Sequence, residues 1–461
     1  MRQLWHRVIA LFTALTACAA LAGCAGGSEE DPNTLTVWTF EGLPQRVQVQ
    51  KQIFRRFTKQ TGIEVKLVTV AQDQFSQLLS SSAAAGELPD VIGATPLAGI
   101  WEMHANNLLD TQAASSVVGK LGRGTFSKQA LDLVTDGGAL LAVPSDAWTQ
   151  LIVYRKDLFE KAGLAPPETY ADLRRAAATL SKNGSAGISL ATDPGDVFTQ
   201  QSFEHVALAN GCELTDAQGN VSLNTPQCAK AFDFYAGLAS QYSVRGSQDI
   251  DSTRATYFAG ESAMMIWSSF ILDEMAGLRN DALPTCGPCK DDPDYLAKNS
   301  GVVTELKGPS GQSAQYGEIV SWGITKTANT TAAKKFVRHM MTGGYMDWLS
   351  MAPEGKIPAR EGTQKEPEKF VEAWSELEVG VDKKKSLSSI YSDEVIEELL
   401  QSPDTISRWG LSKGQGRLVG AMQGELPVPK VLNAAISGGL SGKEAAKNAQ
   451  AKVETIKSSL D

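Results

Sequence analysis

The sequence predicts an α/β fold that is divided into two lobes. In the first part of the chain, runs of β-branched and aromatic residues alternate with amphipathic helices in the order β-α-β-α-β. The alternation resumes after Pro144, and a chain of 461 residues can form two domains with separate cores. Because β-α-β units fold with right-handed crossovers, we expect a mainly parallel sheet flanked by helices in each lobe.

The first 23 residues have the composition of a secretory signal peptide, because Arg2 and Arg7 precede a short apolar run. Small residues precede Cys24, as in the cleavage box of bacterial lipoproteins, so we expect cleavage before Cys24, a diacylglyceryl thioether on its thiol and palmitate among the acyl chains of this lipid anchor. Secretion without lipid is the alternative. The polar residues 24–33 predict a flexible tether. The N-terminus therefore predicts an extracytoplasmic protein that is lipid-anchored to the cell membrane.

The folded part is expected to begin near Thr34. Apolar residues recur on one face of each predicted helix, and Gly62 and Gly86 follow the first two helices as stop signals. We expect the late helices to pack back onto both sheets. The predicted strands are 34–40, 63–70, 90–92, 140–144 and 151–154, and the predicted helices are 44–60, 73–85, 168–181, 332–341, 395–401 and 443–458.

Four cysteines of the folded part predict two disulfides, since the compartment is oxidising. Three pairings are open, and we predict Cys212 with Cys228 and Cys286 with Cys289, because each of these pairs encloses one local excursion of the chain. Cys286-Gly-Pro-Cys289 also matches a thiol oxidoreductase tetrapeptide. Its flanks are turn-rich and acidic, which disfavours a reactive thiolate, so we interpret it as a structural disulfide.

Charge and residue types argue against several functions. The net charge is −9 without a basic block, which argues against nucleic acid as a partner. Beyond the signal peptide only His104, His205 and His339 remain, and none are spaced as a metal pair, so we expect no enzyme activity, metal or cofactor. A glycosidase with two carboxylates stays open because Asp and Glu are abundant.

Seven motifs follow one another in a fairly specific order and spacing. In this order they resemble the carbohydrate-uptake branch of the periplasmic-binding-protein superfamily, the maltodextrin-binding-like cluster, over nearly all of the mature chain. The motifs span residues 34–40, 86–92, 143–148, 151–159, 258–267, 321–326 and 355–360.

The resemblance implies the two-lobed periplasmic-binding-protein fold of type II, with a ligand cleft between the lobes. The chain would cross between the lobes near Pro144, near Ser321 and near Arg360. The implied lobes are 34–144 with 320–358 and 145–319 with 359–461.

The same resemblance implies a function. The protein would be the solute-binding component of an ABC importer, a monomer that captures a sugar or oligosaccharide and delivers it to a membrane permease. The sequence has no Gly-x-x-x-x-Gly-Lys-Ser/Thr loop, so the ATPase would be a separate protein. A non-sugar solute such as a glycerophosphodiester stays open as the ligand.

Sugars present apolar C–H faces and hydroxyl groups, so a cleft that binds them needs aromatic side chains for stacking and polar groups for paired hydrogen bonds. The resemblance implies sugar contacts at or beside Trp267 and Trp322, so we expect the ligand to bridge them and close the lobes. Core packing is the alternative for each Trp, and an N-cap role is the alternative for Asp73. The candidates are Trp38, Glu41, Gln72, Asp73, Asp146, Trp148, Phe198, Trp267, Trp322 and Arg360.

Overall fold

A computed structural model describes residues 33–182 and 184–460, without the side chain of Asp73. The predicted signal peptide, Cys24 and nearly all of the tether lie outside the described residues. Within the described ranges, no helix has the length and apolar character needed to cross a lipid bilayer.

Strands and helices alternate through the first part of the chain, as the sequence predicts. The strands of the described ranges are β1 (Thr34–Thr39), β2 (Glu64–Thr69), β3 (Val91–Thr95), β4 (Thr135–Asp136), β5 (Ala139–Leu140), β6 (Val143–Arg155), β7 (Met264–Ser268), β8 (Ser300–Val303), β9 (Leu306–Lys307), β10 (Ser313–Ile324), β11 (Ile357–Pro358), β12 (Glu378–Val379), β13 (Lys385–Ser386) and β14 (Ile406–Ser407).

The helices cover more of the chain than the strands do. They are α1 (Pro44–Thr61), α2 (Phe75–Ala85), α3 (Leu97–Ala105), α4 (Thr111–Leu121), α5 (Lys128–Leu133), α6 (Lys156–Ala162), α7 (Tyr170–Leu180), α8 (Val197–Ala209), α9 (Pro226–Tyr242), α10 (Ile250–Phe258), α11 (Ile271–Met275), α12 (Tyr295–Asn299), α13 (Thr330–Met340), α14 (Tyr345–Leu349), α15 (Lys369–Ser375), α16 (Asp393–Thr405), α17 (Gly416–Glu425), α18 (Pro427–Ile436) and α19 (Gly442–Ser458).

The first lobe is built around β1, which pairs in parallel with β2 on one side and with β3 on the other. Helix α1 connects β1 to β2, begins with Pro44 at its first turn and ends at Gly62, whose φ of 75° favours glycine. Its buried face consists of Gln50, Ile53, Phe54 and Phe57. The carboxyl ends of β1 and β3 therefore lie at one edge of the sheet, where the sequence places several candidate residues.

Two long antiparallel strands, β6 and β10, connect the first lobe to the second. The N-terminal half of β6 pairs with β10 and β11, whereas residues 150–155 pair with β7 and β8. Strand β10 pairs with β9 and β14 at its start and with β3 at its end. The sequence analysis separated 140–144 from 151–154, but one strand of 13 residues spans most of both segments.

The second lobe is the part around β7 and β8, with helices α6 to α12. Both strands are antiparallel to β6. Apart from the short pairing of β14 with β10, parallel pairing there is limited within the described residues to three single bridges, Thr169 with Lys307, Ala186 with Ser262 and Ser189 with Met265. The expectation of a mainly parallel sheet therefore describes β1 to β3 better than it describes the second lobe.

The late helices pack on both lobes, as expected. Helices α18 and α19 lie against α9 in the second lobe, and α17 lies against α3 in the first. Gly416 makes the second contact close, because a Cβ on it would lie 1.9 Å from Cδ2 of Trp101. Both predicted disulfides, Cys212–Cys228 and Cys286–Cys289, are present.

Candidate ligand-binding cleft

A cavity of about 920 Å³ lies where the two lobes and the connecting strands meet. Its wall takes side chains from the first lobe, from the second lobe and from the segments between them. Among the residues that line it are Phe40, Glu41, Arg46, Gln72, Asp146, Trp148, Phe198, Arg254, Trp267, Phe270, Glu274, Arg279, Gly355 and Lys356.

A second cavity of about 940 Å³ lies away from this junction, between β8 and α16. Its wall carries the carboxylates of Glu168, Glu305, Glu394 and Glu398, and burial together with neighbouring glutamates raises the pKa of Glu398. We take the first cavity as the candidate site, because its wall combines residues of the first lobe, such as Glu41, with residues of the second lobe, such as Trp267.

Glu41 is the centre of a charged cluster on the wall. It directly follows the end of β1, and Arg46 lies in the first turn of α1 with Nη1 2.8 Å from Glu41 Oε2. Lys356 pairs with the other oxygen of Glu41, and its Nζ lies 3.5 Å from Asp146 Oδ2. Burial alone would raise the pKa of Glu41, but the charges of Lys356 and Arg46 lower it to about 2.

The pKa of Asp146 is shifted in the opposite direction to that of Glu41. Burial raises its pKa, although Lys356 and hydrogen bonds from Ser145 and Trp348 act in the other direction. Ser145 Oγ and Trp348 Nε1 both donate to Oδ1 at 2.6 Å. Oδ2 of Asp146 is buried and has no hydrogen-bond partner within the described ranges beyond its ion pair with Lys356, and Nε of Arg46 is buried there without a hydrogen-bond partner.

A second charged cluster comes from the second lobe. Glu274 accepts hydrogen bonds from Arg254 at 3.2 Å and from Arg279 at 2.9 Å. Arg254 also pairs with Asp251, and Arg279 pairs with Asp281. Arg46 and Lys356 are paired with Glu41 in the same way. Every Arg and Lys that lines the cavity in the described part of the chain is therefore paired with a carboxylate.

Aromatic side chains supply apolar wall area next to these charges. Trp148 packs on Tyr316 with ring centroids 6.1 Å apart, and Phe198 lies 6.0 Å from Trp267. Trp267 is only 4% exposed, and its Nε1 donates to the carbonyl of Ile250. It contributes to the wall but is more deeply buried than the sequence analysis expected.

Six of the ten predicted residues line this cavity. They are Glu41, Gln72, Asp146, Trp148, Phe198 and Trp267. The side chain of Asp73 lies outside the described residues.

Trp322 and Trp38 are corrections to the predicted site, because both belong to the buried core. Trp322 packs on Trp348 with centroids 4.8 Å apart and fills the space above Gly93, where a Cβ would lie 2.1 Å from its ring. The pairing of β10 with β6 shifts register between Val320 and Ser321, where Ser145 is the extra residue on β6. Val320 lines the cavity, whereas Trp322 points away from it.

Arg360 is the third correction. It is 2% exposed, and its guanidinium donates to Thr125 Oγ1 and to the carbonyls of Leu121 and Met341. These contacts hold α4 and α13 together, so Arg360 is a packing residue. It also contacts the segment that the sequence analysis assigned to the other lobe.

Sequence reasoning missed Arg46, Lys356, Arg254, Phe270 and their neighbours. Lys356 is held at the site by partners that are distant in sequence, Glu41 and Asp146, whereas Arg46 lies only five residues after its partner Glu41. Phe270 lies three residues beyond the motif that ends at Trp267, and this proximity was the available signal.

Residues 52–379 match the family of bacterial extracellular solute-binding proteins. The chain is 32% identical over 360 residues to YcjN of Escherichia coli K12, named as an ABC transporter periplasmic-binding protein, and the match covers 76% of this chain and 78% of that protein. It is 24% identical over 278 residues to the sn-glycerol-3-phosphate-binding periplasmic protein UgpB of Brucella suis biovar 1, which covers 56% of this chain and 63% of that protein.

The fold has the same architecture as solved sugar-binding proteins. The structure of maltose-bound MalE3 of T. maritima superimposes with a TM-score of 0.69 at 20% identity, and the match covers 92% of this chain and 99% of that chain.

Proposed function

The chain belongs to the family of bacterial extracellular solute-binding proteins, and we propose that it binds a neutral sugar or short oligosaccharide between its lobes and delivers it to the permease of an ABC importer. The observation that carries the proposal is the chemistry of the wall. Trp148, Trp267 and Phe270 offer aromatic area, and Glu41, Gln72 and Asp146 place polar side chains beside it. Aromatic area combined with polar side chains suits a polyhydroxylated ring.

The pairing of the cations favours a neutral ligand. Arg46 and Lys356 neutralise Glu41, and Arg254 and Arg279 share Glu274. A phosphorylated solute, such as a glycerophosphodiester, needs positive charge that is not already compensated, and taking Arg46 from Glu41 would leave a buried carboxylate with fewer partners. The similarity to the glycerol-phosphate-binding relative keeps this ligand class in the test below.

A glycosidase is the second candidate, because Glu41 and Asp146 have pKa values that are shifted in opposite directions at one cavity. A protonated Asp146 could donate a proton to a glycosidic oxygen. The partner carboxylate could not act as a nucleophile, since Arg46 and Lys356 engage one oxygen of Glu41 each. We therefore propose binding without turnover.

The setting of the protein is part of the proposal. We propose that lipid on Cys24 anchors a monomer outside the cytoplasm and that residues 24–33 form its tether. We also propose lobe boundaries at 34–144 with 320–358 and 145–319 with 359–461. The change of strand partners along β6 and β10 supports the first two crossings, whereas the contacts of Arg360 favour a third crossing nearer to Lys356.

A thermal-shift and calorimetry screen of the mature chain with Cys24→Ser tests the ligand class. The panel is glucose, maltose, maltotriose, sn-glycerol 3-phosphate and a glycerophosphodiester. A true ligand at 100 times its dissociation constant stabilises the folded state by about 2.7 kcal/mol. We expect a neutral sugar to do so and both phosphates to fail.

Strong binding of a phosphate compound with no response to sugars would overturn the neutral-ligand proposal. Chromatography of the same incubations tests the glycosidase alternative, because shortened oligosaccharides that depend on the protein would show turnover.

A further inference from the structure

Phe270 follows β7 in the second lobe and lies against Gly355. Gly355 belongs to the connecting segment, the residues 353–356 that precede β11. A Cβ built on Gly355 would lie 2.1 Å from Cε1 of Phe270 and 2.3 Å from its Cδ1 and Cζ, whereas ordinary contacts begin near 3.4 Å. The three nearest atoms all belong to this one ring. The ring can take its observed place only because residue 355 has no side chain.

Glycine is not required at this position for backbone reasons. Gly355 is absent from the glycines with positive φ in the described ranges, so alanine could adopt the same backbone conformation. The ring of Phe270 is then what conflicts with a methyl group at residue 355. The requirement for glycine at residue 355 therefore comes from the shape of the cavity and not from the backbone conformation of a turn.

The segment that carries Gly355 is held firmly from its other side. Trp374 Nε1 donates to the carbonyls of Pro353 at 3.0 Å and Lys356 at 3.1 Å, and Lys356 Nζ lies 4.4 Å from the centre of the Trp348 ring. The indole rings of Trp374 and Trp348 are fully buried. If a side chain were added at residue 355, the partly exposed ring of Phe270 would move rather than this segment.

The open space next to the ring is the cleft itself, since Phe270 and Gly355 both line it. Arg46 of the first lobe also lies over the ring, 5.5 Å from its centre. A displaced ring would narrow the cavity between the two lobes and disturb the approach of Arg46.

We propose that Gly355 is a specificity-determining residue, which sets the width of the cleft by letting the ring of Phe270 lie back against the connecting segment. This inference rests on the proposed function, because it assumes that a sugar occupies the cleft. With a side chain at 355, the forward position of the ring excludes larger ligands first. Gly355 therefore determines the length of oligosaccharide that the cleft accepts.

The test compares Gly355→Ala with Gly119→Ala. Gly119 is an exposed residue of α4 outside the cleft, has no positive φ, and a Cβ there would meet nothing within 4 Å. We expect Gly355→Ala to weaken maltotriose binding by about tenfold or more, consistent with the usual cost of overpacking, and to weaken glucose binding less. Gly119→Ala should bind both sugars as the wild type does.

A double-mutant cycle tests whether the effect passes through Phe270. In a Phe270→Ala background, Gly355→Ala should change neither affinity further, because the clashing ring is gone. The double variant should also fold even if Gly355→Ala alone does not. Crystal structures of ligand-free wild type and Gly355→Ala should show the ring moved into the cleft.

Three results would each overturn the assignment of Gly355. They are an unchanged affinity of Gly355→Ala for maltotriose, the same loss of affinity from Gly355→Ala in the Phe270→Ala background, and a Phe270 ring that has not moved in the crystal structure of Gly355→Ala. Failure of the wild type to bind any neutral sugar would instead overturn the proposed function, and this assignment with it. The two failures are distinguished by whether the unmodified protein binds.

Discussion

Asp273 in α11 and Glu354 next to Gly355 are buried carboxyl groups that oppose each other's ionisation. Burial and the charge of Glu354 raise the pKa of Asp273 well above its usual value. Burial also raises the pKa of Glu354 to about 7, although Arg46, Lys384 and Arg279 act to lower it. Both oxygens of Glu354 and Oδ1 of Asp273 are buried without a hydrogen-bond partner in the described ranges.

The contribution of Glu354 to the stability of the folded protein should therefore fall as the pH rises from about 4.5 to 7, since Glu354 binds its proton more tightly when folded than when unfolded. This contribution is complete below about pH 4.5 and is lost above pH 7. Glu354→Gln cannot ionise, so the melting temperature of the wild type should decrease relative to that of the variant over this range and lie below it at pH 8. Melting curves from pH 4.5 to 8.5 measure this, and parallel profiles for the two proteins would contradict it.

The two disulfides should contribute unequally to stability. Cys212–Cys228 spans 16 residues, which corresponds to about 3 kcal/mol in the chain-entropy model, whereas Cys286–Cys289 spans 3 residues and constrains the unfolded chain much less. Replacing the first pair by alanines should lower the midpoint of urea unfolding more than replacing the second pair. An equal loss for both pairs would contradict this order.

Trp322 and Trp148 should separate stability from binding. Trp322 is fully buried, so Trp322→Ala should cost about 3–5 kcal/mol of unfolding free energy, with sugar affinity of the folded protein little changed. Trp148 lines the cleft and is partly exposed, so Trp148→Ala should lower the affinity about tenfold. Urea unfolding and calorimetry measure the two effects. A large loss of sugar affinity in Trp322→Ala would show that Trp322 belongs to the binding site and would contradict its assignment to the core.

Arg360→Ala should destabilise the fold without weakening the binding of the ligand. The change leaves the buried carbonyls of Leu121 and Met341 without their donor, and each unsatisfied group costs about 1–3 kcal/mol. Arg360→Lys is the matched variant, since it keeps the charge but loses the planar set of donors. Its free energy of unfolding should lie between those of the wild type and Arg360→Ala. Weaker sugar binding at unchanged stability would contradict the packing role.

The sequence predicted best what depends on local pattern. The first β-α-β-α-β elements are confirmed within a few residues, because apolar periodicity and the stop at Gly62 are local signals. The disulfide pairing is also confirmed, since both bonds close short excursions.

The features that sequence reasoning missed depend on contacts between distant segments. The burial of Trp322 depends on its packing against Gly93, which lies more than 200 positions away, and against Trp348. The pairing of Lys356 with Glu41 joins residues more than 300 positions apart. The role of Gly355 depends on a ring from another lobe, so no local pattern could have revealed it.

Strands β6 and β10 run side by side through the junction and are hydrogen-bonded to each other there. A paired two-stranded ribbon bends and twists across its flat face far more easily than it shears within its plane. We therefore expect the pairing of β6 with β10 to limit the relative orientations of the lobes. A ligand that binds between them would then cost less orientational entropy, so a modest set of polar contacts in the cleft would suffice for binding.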